Sequence, residues 1–416
     1  MALPKKLQSA AEYAFSFFKW CFFGILIGGI GGLLGAVFHH VLHSVTAIRS
    51  QFPWLIWLLP IGGVAGVGLY RLLRMQNNRG TNEVIDAVLQ AQPVKPQIAP
   101  GIFLSTCITH LFGGSAGREG AALQLGGSVA SSIGKLFKLE GQQLRIMIMT
   151  GMSGVFAGLF GTPMTAGIFI LEFIESGKLF SPALLPCFLS AYIASFVSGL
   201  LGVHAEGVLL DGTLFTLSNS WKYLILALLV ALLGIAMCHI FHKAEHLAHK
   251  LLHNDYLRIF AGGILIALLT FVVGDHRFNG AGMDMALAAV EGDSQWYNFI
   301  LKLLFTAITL AVGFKGGEIV PTFCIGATFG AAIGSLLGLD PGIAAALGLI
   351  GLFCSVTNAP LAALVLSLEM FGTNHTYLFF LVCAITFAFS GKSSLYASQR
   401  FYFPKSTQKE PTTPHF

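Results

Sequence analysis

An all-α protein that crosses the bilayer many times and consists of two related halves is the architecture this sequence predicts. Three observations point to it: long apolar windows without a charge, hydrophobic segments broken by glycine or proline, and two pairs of segments that recur in the same order in both halves.

Of the 416 residues, 55% are hydrophobic and 10% charged, a balance that the surface of a soluble domain does not tolerate. A helical span requires roughly 20 mainly apolar residues. Windows 20–38, 52–70, 179–203, 319–339 and 341–368 meet this without one charged side chain. Segments 259–273 and 299–312 are short or carry a charge, and segments 99–117 and 146–171 are interrupted by glycine or proline. Full spans mixed with broken half-spans mark a transporter and not a simple bundle.

The chain starts with Lys5 and Lys6, and no small-residue cleavage site follows the first apolar stretch. A retained first span with a cytoplasmic start is therefore expected. The run 239–258, with Lys243, Lys250 and Arg258, falls on the same side by the positive-inside bias. The formal net charge of +5 fits that bias. The basic residues form no stripe with aromatic partners, so nucleic acid is not an expected partner. Cys21, Cys107, Cys187, Cys238, Cys324, Cys354 and Cys383 stand singly in apolar segments and read as small buried hydrophobes. Gly24, Gly28 and Gly32, like Gly62 and Gly66, are spaced by four residues, which lets helices approach closely in lipid.

Residues 117–136 match 317–336 without a gap, pairing Gly126 with Gly326, Ile133 with Ile333 and Gly134 with Gly334. Residues 154–172 likewise match 351–369, pairing Phe156 with Phe353, Pro163 with Pro360 and Glu172 with Glu369. The expected organisation is a first membrane half over 1–215, a second over 216–402, and a short, disordered cytoplasmic tail over 403–416. Duplicated, broken segments place a substrate site between the halves.

The chemistry concentrates where those segments begin. Gly117-Arg118-Glu119-Gly120 opens one apolar helix, and Gly316-Gly317-Glu318-Ile319-Val320-Pro321 opens its repeat partner. The first N–H groups of a helix lack partners and its N-terminus carries partial positive charge, so two such termini at membrane depth form an anion site of peptide donors. An ionisable residue there is a functional candidate by default. Glu119 can occupy the anion site when charged and leave it when protonated, which makes protons and anions compete for one space.

Gly117-Arg118-Glu119-Gly120 followed by a glycine-spaced helix resembles the signature of the CLC anion channel and transporter family, in which the glutamate is the external gate. Gly-Phe-Lys-Gly-Gly-Glu over 313–318, with Ala121 where chloride-type members usually carry proline, is similar to the fluoride/proton antiporter branch. Thr81, in Gly80-Thr81-Asn82-Glu83, is the nearest match to the loop that contacts the central anion. Tyr396, in Ser394-Leu395-Tyr396-Ala397, resembles the tyrosine of a final short helix that donates to the same ion. The resemblance covers nearly the whole chain to Arg400. It implies the CLC fold with two inverted-topology halves and broken helices meeting at a central anion site, about eighteen helical segments, and a homodimer with one pathway per subunit in a bacterial inner membrane. It also implies no cofactor. The implied substrate-binding set is Thr81, Arg118, Glu119, Gly120, Glu318, Ile319, Val320 and Tyr396, with Glu119 as the proton-coupled gate and Glu318 as a candidate second carboxylate. The implied activity is export of fluoride against inward proton movement.

Two departures stand out. The chloride/proton exchangers use an internal glutamate where this chain has Phe173, beside Glu172, so their internal proton route is missing. Val320 stands where fluoride-branch members carry a hydroxyl side chain, with Thr322 as the candidate substitute. Other readings remain beside these. A chloride or broad-anion transporter or channel of the same fold is the runner-up. Glu119 could pair with Arg118, Glu318 could pair with Lys315, Thr81 could be an N-cap, and Tyr396 an interfacial anchor. His239, His242, His246, His249 and His253 share one helical face at three- and four-residue spacing, which suits metal or pH sensing or simply a solvated helix end. No carboxylate or cysteine completes a first shell, so a metal is not expected. Gly151-Met152-Ser153-Gly154 and Gly113-Gly114-Ser115-Ala116-Gly117 could mimic the nucleophile of an intramembrane serine protease, but an enzyme is not expected.

Overall fold

The structure is a computed structural model that describes residues 5–205, 207–210, 219–402 and 405, with side chains described from residue 11 onward. Lys5 and Lys6 therefore contribute backbone only, and the predicted tail over 403–416 lies outside the described residues apart from Lys405. Sixteen α-helices and three short 3-10 helices are present among the described residues, where about eighteen helical segments are expected. The first eight are α1 (Lys5–Gln51), α2 (Leu59–Leu72), α3 (Thr81–Gln90), α4 (Ile98–Leu111), α5 (Glu119–Leu136), α6 (Gly141–Phe160), α7 (Pro163–Glu172) and α8 (Leu184–Leu200). The second eight are α9 (Ser220–Leu251), α10 (Asp255–Val273), α11 (Met283–Val290), α12 (Asn298–Ala311), α13 (Ile319–Leu337), α14 (Pro341–Thr357), α15 (Pro360–Phe371) and α16 (Thr376–Phe389).

Seven of the helices are long and apolar enough to cross a membrane, and six more are apolar but only 10–17 residues long. Large exposed side chains such as Phe22, Ile25, Phe196, Phe271 and Phe380 give the outside an apolar character that only lipid would match. Packing partners repeat between the halves. Helix α1 lies on α6 and α8 as α9 lies on α14 and α16, and α5 pairs with α6 as α13 pairs with α14. Small residues permit this. Gly24, Gly28 and Gly32 of α1 press against Leu189, Ser190 and Ala194 of α8, while Gly126 meets Gly151 and Gly326 meets Gly348. The expectation for Gly62 and Gly66 holds only in part: Gly62 abuts Phe112, but Gly66 has open space, and Gly63 is the residue that meets α10 at Ile259.

Chain breaks recur at matching positions. Helix α6 ends at Gly161 (φ 70) and α14 ends at its counterpart Asn358 (φ 55), both left-handed, the conformation that glycine and asparagine adopt most readily. Two residues later Pro163 and Pro360 start α7 and α15, where a missing N–H does no harm. Those short helices then cap each other across the halves. Glu369, near the end of α15, accepts from the N–H groups of Met164 (2.9 Å) and Thr165 (2.8 Å) at the start of α7. Glu172, ending α7, accepts from Leu361 (3.1 Å) and Ala362 (2.8 Å) at the start of α15. Each carboxylate satisfies backbone donors that lipid cannot and faces the positive end of its partner's dipole.

The last expected element differs. Residues 393–399 form an irregular turn and no short helix, tied down by Leu395 N–H to Val356 O (3.0 Å), Ser398 N–H to Asn82 Oδ1 (3.0 Å), and a parallel pairing of β1 (Glu175–Ser176) with β2 (Arg400–Phe401). With Asn358 already donating from Nδ2 to Ser393 O (2.9 Å), tertiary hydrogen bonds replace the intrahelical ones.

Replacing Glu369 by alanine leaves two backbone donors of α7 unpaired and should destabilise the protein by about 2 kcal/mol. Thermal unfolding in detergent should show a lowered midpoint, with a smaller loss for Glu369→Gln, which keeps an acceptor oxygen.

Candidate functional site

The two glycine-rich turns meet back to back. Gly117 donates to Gly317 O (2.6 Å) and Gly317 donates to Gly117 O (2.8 Å), an antiparallel bridge between repeat counterparts that fixes a local two-fold relation. Neither glycine tolerates a side chain here: a Cβ on Gly117 would stand 2.9 Å from Pro321, and one on Gly317 2.7 Å from the Gly120 nitrogen. The N-termini of α5 and α13 therefore converge on one spot. The N–H groups of Glu119, Gly120, Ile319 and Val320 precede the first i−4 bonds, which begin at Ala122 and Thr322. Pro321 in the same turn has no N–H to leave unpaired.

The Glu119 carboxylate lies at that spot. It is fully buried, and Oε2 accepts from the N–H of Arg118 (3.1 Å) and of Val320 (3.2 Å), one donor from each helix terminus. Oε1 is buried without a hydrogen-bond partner. The Tyr396 hydroxyl is likewise buried without a partner, and Tyr396 stands within electrostatic reach of both Glu119 and Glu318. Thr81 begins α3 at its first helical position, so it is not the N-cap, and its Oγ1 would lie 2.9 Å from a Cβ on Gly120. All eight expected residues are thus gathered around the two helix termini.

The side-chain pairings offered as alternative readings are not what holds them. Arg118 stacks over Phe160 (4.9 Å) and lies 3.3 Å from His39 Nδ1, while its backbone N–H donates to Glu119. Lys315 lies over the Tyr70 ring (4.8 Å), and no ion pair joins it to Glu318 among the described residues. Thr322 does not replace a hydroxyl at Val320: its Oγ1 donates to Glu318 O (2.8 Å), the i−4 carbonyl of its own helix, and so turns away from the site. Phe173 is buried, stacked on Phe169 and edge-on to Tyr396, and carries no proton.

One cavity touches the Glu119 carboxylate, and two larger ones reach its neighbours, one at Arg118 and Val320 and the other at Tyr396. A cavity of about 20 Å³, room for about one water, lies beside Glu119 among Phe156, Phe160, Phe323, Phe353 and Thr162. A wide cavity of about 800 Å³ is lined by His39, Arg49, His110, Arg118, Asp284 and Val320. Another, of about 420 Å³, is lined by Cys238, His239, His242, Lys392, Gln399 and Tyr396. The wide one opens at the C-terminal end of α1, the other at the C-terminal half of α9, the inverted counterpart of α1. Val320 thus faces one side and Tyr396 the other.

Several supporting residues have no motif in the sequence. Lys302 of α12 is fully buried, with Nζ donating to Ser115 Oγ (3.0 Å), Phe278 O (3.2 Å) and Gly280 O (2.7 Å). It anchors the turn before Gly117, helped by Thr309 Oγ1 accepting from Ser115 N–H (3.0 Å) and Asn279 Nδ2 donating to Gly113 O (2.9 Å). A lone charge in the apolar segment 299–312 was its only signal. An ammonium with all three N–H groups so engaged is a donor, not a base for Ser115, and Ser153 is buried within α6 with its Oγ donating to Cys187 O (3.0 Å). On the far side, Gln399 Nε2 donates to Phe173 O and Thr357 O, fixing the turn that presents Tyr396. Of the five histidines read as one face, His253 lies beyond the end of α9 and drops out. Among the described residues no group of three or more metal-ligating side chains is placed to hold an ion.

Comparison with known proteins adds to this geometry. The family model described as "Voltage gated chloride channel" matches residues 61–391. A "Chloride/fluoride channel protein" of Pseudomonas syringae pv. tomato is 33% identical over 391 residues, covering 92% of this chain and 86% of that protein. The crystal structure of a CLC-type fluoride/proton antiporter superposes with a TM-score of 0.89 at 31% identity, covering 92% of this chain and 98% of that one. A slow cyanobacterial Cl-/H+ antiporter shares the fold, with a TM-score of 0.78 at 22% identity, covering 89% and 94% of the two chains.

A methyl group at Gly317 would collide with Glu119 Oε2 and the Gly120 nitrogen, so Gly317→Ala must push the helix termini apart. Anion flux into reconstituted vesicles should fall at least about tenfold, as expected when a site shifts by a fraction of an ångström, while the purified protein keeps its helical circular dichroism.

Proposed function

Since this chain belongs to the voltage-gated chloride channel (CLC) family of membrane transport proteins, we propose that it is a fluoride/proton antiporter, exporting fluoride against inward proton movement. The observation that carries this reading is the Glu119 carboxylate lying between the α5 and α13 termini and accepting from Arg118 and Val320 N–H groups. An anion seated there would take the same donors, so carboxylate and anion exclude one another. Protonation removes the charge that holds Glu119 in place, and the neutral side chain can turn toward the apolar cavity among Phe156, Phe160 and Phe323. Anion arrival and proton uptake then become one exchange, the minimum that coupled transport requires.

Fluoride is small and strongly hydrated, so replacing its shell takes many donors in little room. Backbone N–H groups at 118–120 and 319–320, the unpartnered Tyr396 hydroxyl, Thr81 and protonated Glu119 supply them. Glu318, within electrostatic reach of Glu119, serves as a second carboxylate for the proton. The cavity at Arg118 is the outer vestibule and the one at Tyr396 the inner, in line with the basic α9 end being cytoplasmic. The assembly is a homodimer in a bacterial inner membrane, each subunit holding its own pathway between a 1–215 half and a 216–402 half, with no catalytic turnover of a substrate.

A second reading, a chloride or broad-anion transporter or channel of the same fold, draws support from Val320, whose apolar side chain and the turned-away Thr322 hydroxyl leave that wall without an extra donor. Vesicle flux separates the two. Antiport predicts that a fluoride gradient drives protons uphill and that fluoride outruns chloride by at least about tenfold, or 1.4 kcal/mol; equal rates, or fluoride flux without proton movement, would favour the second reading. Glu119→Gln should abolish fluoride-driven proton movement altogether, and unchanged coupling would remove its assigned role.

A further inference from the structure

With Phe173 unable to carry a proton, the antiport proposed above still needs a cytoplasmic exit for the proton leaving Glu119. Helix α9 brings ionisable side chains to the place where one is required. Met237 Sδ contacts Thr322 Oγ1 at 4.0 Å, and that hydroxyl donates to Glu318 O, so α9 packs against the first turn of α13 beside Glu318. The next residue, Cys238, is within electrostatic reach of Glu318 and also lines the inner cavity of about 420 Å³. His242 follows it by four residues, one helical turn or about 6 Å further along the same face, and lines the same cavity together with His239 and Tyr396. Glu245 continues that stripe, and its charge reaches both Glu318 and Lys315.

We propose that His242 and His239, on the wall of the inner cavity, are the proton-exchange groups through which Glu318 delivers the transported proton to the cytoplasm. This rests on the antiport reading. The step balances without any other reactant: the Glu318 carboxyl releases its proton to cavity water, a histidine Nε2 lone pair accepts it, and the imidazolium returns it to bulk water. His239 is set for this role, because its Nδ1 lies 2.8 Å from Ile235 O, an acceptor only, which fixes the proton on Nδ1 and leaves Nε2 open. Imidazole is the side chain whose ordinary proton affinity suits exchange near neutral pH. Around the pair, Lys243 on α9 and Lys392 beyond α16 contribute positive charge, and Cys238 and Tyr396 complete the titratable groups of the cavity wall. At the Glu245 end, Lys315 before α13, His249 on α9, and the Asp255–Arg258 ion pair on α10 (2.8 Å) are the facing charges.

The test is proton and fluoride flux in vesicles holding wild type, His239→Gln/His242→Gln, and His239→Arg/His242→Arg, over internal pH 5.5–8. Both histidines are exposed, so the variants should fold. Both double variants should carry fluoride-driven proton flux at least tenfold slower than wild type, and a membrane-impermeant imidazole buffer on both faces should restore the glutamine variant. An arginine variant as fast as wild type would mean that the histidines act only as positive charge, and the inference fails. It fails equally if the glutamine variant keeps the wild-type rate across the pH range, or is slow and not restored by imidazole. Wild-type vesicles that move fluoride without protons would instead refute the antiport on which the inference stands.

Discussion

Unpaired peptide N–H groups at membrane depth are the constraint from which the rest of the structure follows. A helix that starts inside the bilayer exposes its first donors where no water can satisfy them, and each would cost several kcal/mol if left alone. This chain starts α5, α7, α13 and α15 in the interior and answers the problem in two ways. At α7 and α15 the donors meet permanent carboxylates, Glu369 and Glu172, and the helices are locked together. At α5 and α13 the donors from both helices meet a single carboxylate, Glu119, whose other oxygen has no partner. The first arrangement is scaffold, and in the proposed reading the second is exchangeable.

That contrast explains why so much else is rigid. The turn before Gly117 is held by Lys302, Thr309 and Asn279 from the opposite half, and the turn bearing Tyr396 is held by Asn358 and Gln399. Glycine contacts between α5 and α6, and between α13 and α14, bring backbones together where longer side chains would wedge them apart. Glu172, Glu369 and Lys302, the charges that cap or anchor these turns, are each held by several hydrogen bonds. The buried polar atoms left without a partner include Glu119 Oε1, at the convergence point of the two helices, and the Tyr396 hydroxyl, within electrostatic reach of it. In the proposed reading these are the groups that an anion or a proton would engage.

The two-fold relation between the halves is imperfect where chemistry requires it. The counterparts Gly117 and Gly317 bond reciprocally, yet Glu119 has Ile319 as its counterpart and Arg118 has Glu318. One acidic side chain can therefore occupy the shared site from one side only. The two larger cavities are unlike as well: arginines, histidines and three aspartates line one, while histidines and lysines with no acidic residue line the other. In the proposed reading a duplicated frame thus supports a directional pathway, because the frame depends on glycine and backbone while the direction depends on a few unpaired substitutions.

Much of this was legible in the sequence. Apolar windows, the matched segments and their glycine and proline positions specified a two-half membrane fold, because lipid admits few solutions to backbone hydrogen bonding and duplication leaves a visible register. The two glycine-flanked acidic turns were legible for the same reason: a charge at the start of an apolar helix has little other use. The partners lay beyond reach. That Glu172 and Glu369 cap each other's helices, that Lys302 supports the turn before Gly117, that Lys315 turns to Tyr70 and not to Glu318, and that Thr322 bonds back to its own helix all depend on contacts between residues distant in the chain or on a rotamer choice. Local propensity leaves those open, and only the packing of the two halves decides them.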